Sequence, residues 1–587
     1  MLPTPSTWRG GVAGALLLLP PLLLLCGPAG CGRRQQTIAE SPPPLPGGTV
    51  RVLSEPIEEF DPIAVDEVYE SVVLRQIYEG LVRFDPNLRI HPSLATSWTI
   101  SPDGLIYTFR IRTDALFHDG RPLRVEDVAF SLRRAIRGND GDPGVAGSYL
   151  RGILGASPFA QGRSEDLAGL RILDERTLEI ELERPLSILL KVLAMDQAAI
   201  VRAPEAMAAA DAATPSAEAL AAASAEAPAA TPAAHPAADP GAAPAIVGTG
   251  PFHLVREEEG GRLVLARNER YWGEPALIDT LVFVPAPSLG VEAGRAILEG
   301  WVDFASVGRD EIHLLQTAGY PVYRFPELSF AFLGLRNDLP PFDIPQVRRA
   351  VLLSIDREAL RRLNPEAIVP VSGLLPSGIS GRDPIDRMPR LDRGEAMRLL
   401  EQAGYPGGRG LPKIVLGSST GGSSIRTAEA VRGDLQSVGF DVEIRPLRWR
   451  ALDSLATGGA LHGFFMTWVA DIPDPDSFLY ALFHSTGDGN LFRYRSALVD
   501  SLLEAGRELP AGAPRSDLYL RIQEGILRDA PMVPLFQSLE AYSWRPEIQG
   551  VDIGPCGFSL VPFSRVHLRQ APQEREGLSA AREESEP

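Results

Sequence analysis

The spacing of apolar residues predicts both strands and helices in the first half of the chain. Tyr107–Ile111 and Leu178–Leu182 alternate apolar and polar side chains, as in half-buried strands. Apolar residues recur at helical spacing from Asp66 to Leu81 and from Val125 to Ile136. The first half therefore mixes strands with amphipathic helices.

The second half contains a strand, a helix and a second strand in close succession. Lys413–Gly417 and Asp441–Arg445 are strand-like, and Ile425–Val438 has apolar residues on one helical face and ends at Gly439. This succession predicts a βαβ unit. Leu461–Trp468 follows as a further apolar, strand-like run.

The N-terminus is typical of an export signal. Arg9 precedes an apolar run from Val12 to Cys26, which is shorter than the roughly 20 residues that a membrane span needs. Small residues before Cys31 resemble the lipobox of bacterial lipoproteins, although Pro28 stands where leucine is usual. We expect lipidation at Cys31; secretion without a lipid is the alternative.

Two further segments lack the composition of a packed domain. Residues 203–246 are rich in Ala and Pro and contain few large apolar side chains, so they cannot offset the entropy cost of ordering. Residues 569–587 are charged. Both are predicted to be disordered.

Composition excludes several classes of protein. The 587 residues carry 57 Lys and Arg against 75 Asp and Glu, a net charge of −18, which disfavours nucleic-acid binding. Hydrophobic residues make up 44% of the chain, as in globular proteins. Three cysteines give neither a disulfide framework nor a zinc pattern.

A possible catalytic motif lies at residues 417–421, which fit the GxSxG pattern with Ser419 as nucleophile. The same small residues are equally typical of a loop that approaches a ligand. The histidines have no metal-ligand spacing, so no metal site is predicted. Asp471, Asp474 and Asp476 leave open a calcium loop or a solvated acidic loop.

A third interpretation of that acidic loop concerns a cationic ligand. Asp471 follows the apolar run that ends in Trp468. A carboxylate at the end of a strand, in a partly dry cleft, forms a strong charge-assisted hydrogen bond with an ammonium group. Asp471 is therefore the leading candidate for ligand binding.

An ordered series of segments resembles the extracellular solute-binding proteins of family 5, which serve peptide, nickel and related ABC importers. The segments are Asp61-Pro62, Ile77–Leu81, Pro92–Trp98, Ser101–Gly104, Tyr107–Phe109, Phe117–Leu123, Glu126–Val128, Gly248–Phe252, Asn268 with Tyr271-Trp272, Val347–Ala350, Ile355–Arg357 and Trp468–Phe478. They span nearly the whole body of the chain outside the Ala/Pro-rich insert.

The resemblance implies an α/β, two-lobed periplasmic-binding-protein-like fold with a third accessory subdomain and a hinge between the lobes. The implied division is a lipoprotein signal peptide at 1–31, a flexible tether at 32–48, lobe I at 49–85, 247–325 and 536–568, the accessory subdomain at 86–202, the insert at 203–246, lobe II at 326–535 and the tail at 569–587.

The resemblance also implies site residues. In peptide-binding members, the aspartate three residues after the tryptophan of this loop pairs with the peptide α-ammonium, and Asp471 and Trp468 match. Asp66, Val68 and Tyr69 stand where oligopeptide binders contact the peptide main chain. Ser418, beside Ser419, stands where dipeptide binders have a carboxylate-binding arginine, which favours a longer peptide or another solute.

The expected function is an extracytoplasmic, lipid-anchored receptor of an ABC importer. It would be a monomer that captures a peptide-like solute between closing lobes and delivers it to permease subunits, without catalysis or a cofactor. Two alternatives stay open at this point, a secreted serine hydrolase that uses Ser419 and a ligand sensor without a transporter.

Overall fold

The computed structural model describes residues 46–65, 67–139, 142–204, 246–364, 367–379, 382 and 386–569. The predicted signal peptide with Cys31, Asp66, nearly all of the predicted insert and nearly all of the predicted tail lie outside these residues.

Strands occur along the whole described chain. They are β1 Thr49–Ser54, β2 Val82–Phe84, β3 Ile90–Pro92, β4 Ala95–Ile100, β5 Ile106–Ile111, β6 Leu170–Asp174, β7 Thr177–Glu181, β8 Phe252–Glu258, β9 Arg262–Arg267, β10 Thr280–Pro285, β11 Phe304–Ser306, β12 Val322–Pro326, β13 Ser329–Leu335, β14 Ile368–Val369, β15 Ile414–Ser419, β16 Val442–Leu447, β17 Gly463–Val469, β18 Met532–Trp544, β19 Ile548–Gln549 and β20 His567–Leu568.

Helices are interspersed with these strands. They are α1 Val68–Ile77, α2 Val125–Arg137, α3 Gly144–Leu150, α4 Ala156–Ala160, α5 Leu189–Val192, α6 Ala286–Leu289, α7 Ala293–Leu298, α8 Arg309–Thr317, α9 Pro345–Ser354, α10 Arg357–Leu363, α11 Arg393–Gln402, α12 Gly422–Ser437, α13 Trp449–Thr457, α14 Asp476–Phe483, α15 Ala497–Glu508 and α16 Ala513–Asp529.

Several elements follow directly from the sequence pattern. The predicted βαβ unit is confirmed as β15, α12 and β16, with β15 and β16 parallel. Gly439 follows α12 with φ +110°, a conformation that glycine adopts without strain. The helix predicted from Asp66 to Leu81 is α1, which ends at Ile77 because Tyr78 has an extended backbone.

A single large sheet passes through both lobes. Its strand order is β16-β15-β17-β13-β18-β11-β1-β10-β9-β8, and β12 and β14 also pair with β18. The first part of β18 pairs with β13, and its second part pairs with β12 and β11. Strand β18 therefore belongs to both lobes and connects them.

The buried hydrophobic side chains follow the same division. Lobe I packs around β1, β8–β11 and the end of β18, and lobe II packs around β13, β15–β17 and the start of β18. In β13, Leu333 and Leu335 join one buried cluster of lobe II and Phe330 and Phe332 join the other, because both faces of the sheet are covered.

The accessory subdomain has its own antiparallel sheet, in the order β4-β5-β7-β6. Helix α2 buries Val128, Leu132 and Ile136 in the core of this subdomain. Ile472, which follows β17 of lobe II, is fully buried in the same core. The loop after β17 is therefore packed between lobe II and the accessory subdomain.

Candidate ligand-binding site

A cavity of about 1000 Å³ lies between the lobes and the accessory subdomain. Lobe I contributes Tyr69 from α1 and Glu540 from β18, and the accessory subdomain contributes Ser148 from α3. Asp471 and Asp488 line it from lobe II. A solute in this cavity would touch all three parts of the molecule.

Hydrogen bonds hold Asp471 on the cavity wall, directly after β17. Its backbone N–H donates to Ser477 Oγ at 3.0 Å, and Ser477 Oγ donates to Asp471 Oδ2 at 3.4 Å. Trp468 Nε1 donates to the Ser477 carbonyl at 2.7 Å. These bonds tie both Trp468 and Asp471 to Ser477 and hold the Asp471 carboxylate at the cavity.

The surroundings of Asp471 disfavour its ionised form. Asp471 is exposed where it opens onto the cavity, but the surrounding cleft walls limit its hydration, and this desolvation raises the pKa of its carboxyl to about 6. The Ser477 hydroxyl opposes this rise, and the charge of Asp488 adds to it. Among the described residues no arginine, lysine or histidine forms an ion pair with Asp471. A cationic ligand group would supply the missing counter-charge.

Trp468 acts through the loop, since it is not among the residues that line the cavity. Its indole packs on Gly489, where a Cβ would lie 2.6 Å from Trp468 Cζ3. The predicted ligand residue Trp468 is therefore placed as a support for Asp471 and for the chain at Gly489.

Of the three residues predicted to contact a ligand at the start of α1, two line the cavity and one lies outside the described residues. Val68 and Tyr69 line the cavity, and Val68 is 46% exposed. Burial raises the pKa of the Tyr69 hydroxyl, and the carboxylates of Glu55 and Glu540 add to this. Tyr69 therefore stays a neutral hydrogen-bonding group. Asp66 lies outside the described residues.

The structure does not bring Ser418 and Ser419 to the cavity. Strand β15 continues through Ser419, so neither serine lies on a sharp turn, and Ser418 is fully buried. Ser418 Oγ donates to the Ser419 carbonyl at 3.3 Å. In the described chain, no histidine is hydrogen-bonded to Ser419; the ring of His462 accepts from Val415 N–H instead.

Asp474 and Asp476 form neither a solvated acidic loop nor a calcium loop, so both of these interpretations are wrong for them. The two residues are 1% and 0% exposed. Asp474 receives bonds of 2.7 and 2.9 Å from Arg515 and one of 2.7 Å from Lys191, and Asp476 receives bonds of 2.7 and 2.8 Å from Arg507. No described group of three or more His, Cys, Asp or Glu residues could hold a metal.

Two carboxylates on the cavity wall, Glu327 and Glu540, were not predicted from the sequence. Glu327 lies between β12 and β13, and Glu540 lies in β18. Burial raises the pKa of the Glu540 carboxyl, and the charge of Glu327 raises it further. The two glutamates are far apart in sequence. The only sequence signal for them is that each lies beside an apolar, strand-like run.

Comparison with known proteins identifies the family. A model described as bacterial extracellular solute-binding proteins, family 5 Middle, matches residues 89–490. A probable di/tripeptide-binding protein 5 of Pseudomonas aeruginosa is 27% identical over 557 residues, which cover 90% of this chain and 97% of that protein. Heme-binding protein A of Haemophilus influenzae is 27% identical over 514 residues, 82% of this chain and 86% of that protein.

Solved structures agree with this assignment. The ABC transporter-associated periplasmic binding protein DppA of Helicobacter pylori, in complex with the peptide STSA, superposes with a TM-score of 0.69 at 25% identity, over 90% of this chain and 99% of that one. The unliganded open form of the murein tripeptide-binding protein MppA has a TM-score of 0.69 at 23% identity, over 89% and 97% of the two chains, and shares the fold. The chain belongs to the bacterial extracellular solute-binding proteins of family 5.

Proposed function

We propose that this protein is an extracytoplasmic receptor that captures a peptide-like solute between its lobes and delivers it to the permease of an ABC importer. The observation that carries the proposal is the Asp471 carboxylate, which lies on the wall of a cavity of about 1000 Å³ and has no ion-pair partner among the described residues. A peptide α-ammonium has the charge and hydrogen-bond donors to pair with it.

The relatives support the same ligand class and location. Their names include di/tripeptide-, dipeptide- and oligopeptide-binding proteins, some of them described as periplasmic. None of the described helices combines the length and the apolar character of a membrane-spanning segment. Attachment through a lipid on Cys31 is part of the proposal, and permease subunits would be the membrane partners of a monomeric receptor.

The proposed mechanism is lobe closure. Asp471 lies on lobe II and Tyr69 on lobe I, so a solute that touches both binds the closed arrangement better than the open one. Binding shifts the population toward closure by this difference in affinity. No bond in the solute is made or broken, and the hydrolase alternative gains no support from the position of Ser419.

Calorimetry with paired peptides tests the proposal. Tri-alanine with a free amino group and its N-acetylated form would be titrated into the wild type, Asp471→Asn and, as a matched control, Asp517→Asn, whose side chain is exposed on α16. Loss of one partner of a shielded charge pair costs about 2–5 kcal/mol. We expect that loss only for the free amine and only in Asp471→Asn.

Equal affinity of the wild type and Asp471→Asn for the free-amine peptide would refute the role of Asp471. Retention of labelled palmitate by Cys31→Ser would refute lipidation at that residue. The sensor alternative requires that no genes for two permeases and two ATPases accompany the gene of this protein.

A further inference from the structure

The cavity wall has a strong excess of negative charge. Its described lining residues include seven acidic side chains and one basic side chain, Arg75. Arg75 is already engaged, since its Nε lies 2.9 Å from Asp196 Oδ1. The described wall therefore offers no free cation to receive a ligand carboxylate, and it repels anions.

Glu327 and Glu540 carry much of this excess where the two lobes meet. Glu327 N–H donates to the Ser538 carbonyl at 3.1 Å, and Gln537 Nε2 donates to the Glu327 carbonyl at 2.7 Å. These bonds fix Glu327 against β18, two to three residues from Glu540 along that strand. The Glu327 carboxylate, between β12 and β13, is thus a neighbour of the Glu540 carboxylate on β18.

Neither carboxylate has a cationic partner in the described structure. Glu327 Oε2 accepts from Ser329 Oγ at 2.7 Å, and Glu540 Oε2 accepts from Ser306 Oγ at 3.4 Å. The Oε1 atom of each has no hydrogen bond from a described residue. Burial raises the pKa of both carboxyls, and the charge of Glu327 raises that of Glu540 further. Two half-buried like charges without a counter-charge are unfavourable, and either a proton or a bound cation relieves their repulsion.

The register of the sheet places this pair close to the Asp471 loop. Ala470 N–H donates to the Leu328 carbonyl at 2.9 Å, at the end of the β13–β17 ladder. Glu327 precedes Leu328 and Asp471 follows Ala470, so these two carboxylates flank the same hydrogen bond. One small solute can reach both.

We infer that the cavity selects a solute with two cationic groups, one bound by Asp471 and the second by Glu327 and Glu540, such as a peptide with a lysine or arginine side chain near its amino terminus. This inference rests on the proposed peptide-receptor function. It adds Glu327 and Glu540 as residues that determine specificity.

Peptides that differ only in the charge and type of one side chain test the inference. Tetra-alanine peptides with lysine, methionine or glutamate at each position in turn would be titrated by calorimetry into the wild type. We expect the best lysine peptide to bind at least tenfold more tightly than the methionine peptide of the same register, and the glutamate peptide to bind more weakly than both.

Variants assign the effect to the pair. Glu327→Gln/Glu540→Gln should bring the lysine and methionine affinities within threefold of each other, and a cooperative thermal unfolding transition like that of the wild type would show that the variant is folded. Glu257→Gln, exposed on β8 and outside the cavity, is the matched control and should keep the wild-type preference.

The possible failures are distinguishable. Binding of alanine and methionine peptides without a lysine preference, or a preference that persists in the double variant, would overturn the inference and leave the peptide-receptor function standing. Failure of every peptide to bind would overturn both.

Discussion

Asp471 and Asp474 occupy the same loop, three residues apart, and differ in almost every physical respect. Asp474 is buried and bonded to Arg515 and Lys191; Asp471 faces the cavity and is bonded to Ser477 alone. Burial alone would raise the pKa of Asp474, but the bonds from Arg515 and the charge of Lys191 outweigh it and lower that pKa. The pKa of Asp471 is raised.

This difference separates a structural carboxylate from the carboxylate proposed to bind the ligand. A paired, buried carboxylate stabilises the fold around it, whereas a desolvated carboxylate without a partner leaves a charge for a ligand to neutralise. Lys191 belongs to the accessory subdomain and Arg515 to lobe II, so Asp474 joins these two parts and fixes the loop that presents Asp471.

The largest effect is expected from Asp474→Ala. Removing this carboxylate leaves the buried Arg515 guanidinium and the Lys191 ammonium uncompensated, so we expect a loss of about 3–5 kcal/mol in the free energy of unfolding. Urea unfolding of the ligand-free protein measures it. Asp517→Ala, at an exposed position, should be nearly neutral, and equal stability of the two variants would contradict the structural role of Asp474.

The two aspartates should respond to pH with opposite signs. The pKa of Asp471 rises from 3.8 to about 6 on folding, so its stabilising contribution is present below about pH 4 and is lost as the pH rises through 6. Wild type should therefore lose thermal stability relative to Asp471→Asn over this range.

For Asp474, whose pKa is lowered, the wild type should gain stability relative to Asp474→Asn as the pH rises through the usual titration range of aspartate. Melting temperatures of the ligand-free proteins between pH 3 and pH 7 measure both differences in stability. If the two differences change with pH in the same direction, the contrast between Asp471 and Asp474 is wrong.

A smaller effect is expected from Gly489→Ala, which disturbs the support of the loop. The new Cβ would lie 2.6 Å from Trp468 Cζ3, and such overpacking costs about 1–3 kcal/mol. Gly433→Ala is the control, because a Cβ there would have no heavy atom within 4 Å apart from its chain neighbours and the backbone of its own helix, α12, which alanine favours. Thermal unfolding together with peptide titration would show whether Gly489→Ala moves the loop; unchanged values would refute the support role of Trp468.

The smallest effect is expected from Ser419→Ala. This residue lies outside the cavity and has no histidine partner in the described chain, so stability should change by less than about 0.5 kcal/mol and peptide affinity should not change. Labelling of the wild type by a serine-directed phosphonate, lost in Ser419→Ala, would revive the hydrolase alternative.

Local patterns predicted much of the fold. Periodicity alone located α1, α2 and the β15–α12–β16 unit, since each depends on which residues face a core. The arrangement of the lobes came from the family resemblance, because strand order in the large sheet depends on long-range pairing. The boundary between lobes inside β18 has no sequence signal, since the strand is continuous there.

The site was less predictable for the same reason. Asp471 could be proposed as a candidate because its loop is contiguous in sequence, and the structure places it on the cavity wall. The roles of Asp474 and Asp476 could not, because Arg507 and Arg515 lie on other helices. The role predicted for Ser418 stays a prediction without structural support, since the strand continues past it and its side chain is buried outside the cavity. Glu327 and Glu540 become neighbours only because distant strands pair.

Strand β18 changes partners at Gln537, from β13 to β14 and β12, while Gln537 itself bonds to Glu327 and Ser377. Any relative rotation of the lobes must bend this short stretch of backbone, and Glu540 travels with it. Lobe rotation therefore changes both the shape of the cavity and the electrostatic potential inside it. A solute that neutralises the carboxylates also removes the repulsion between them that opposes lobe closure.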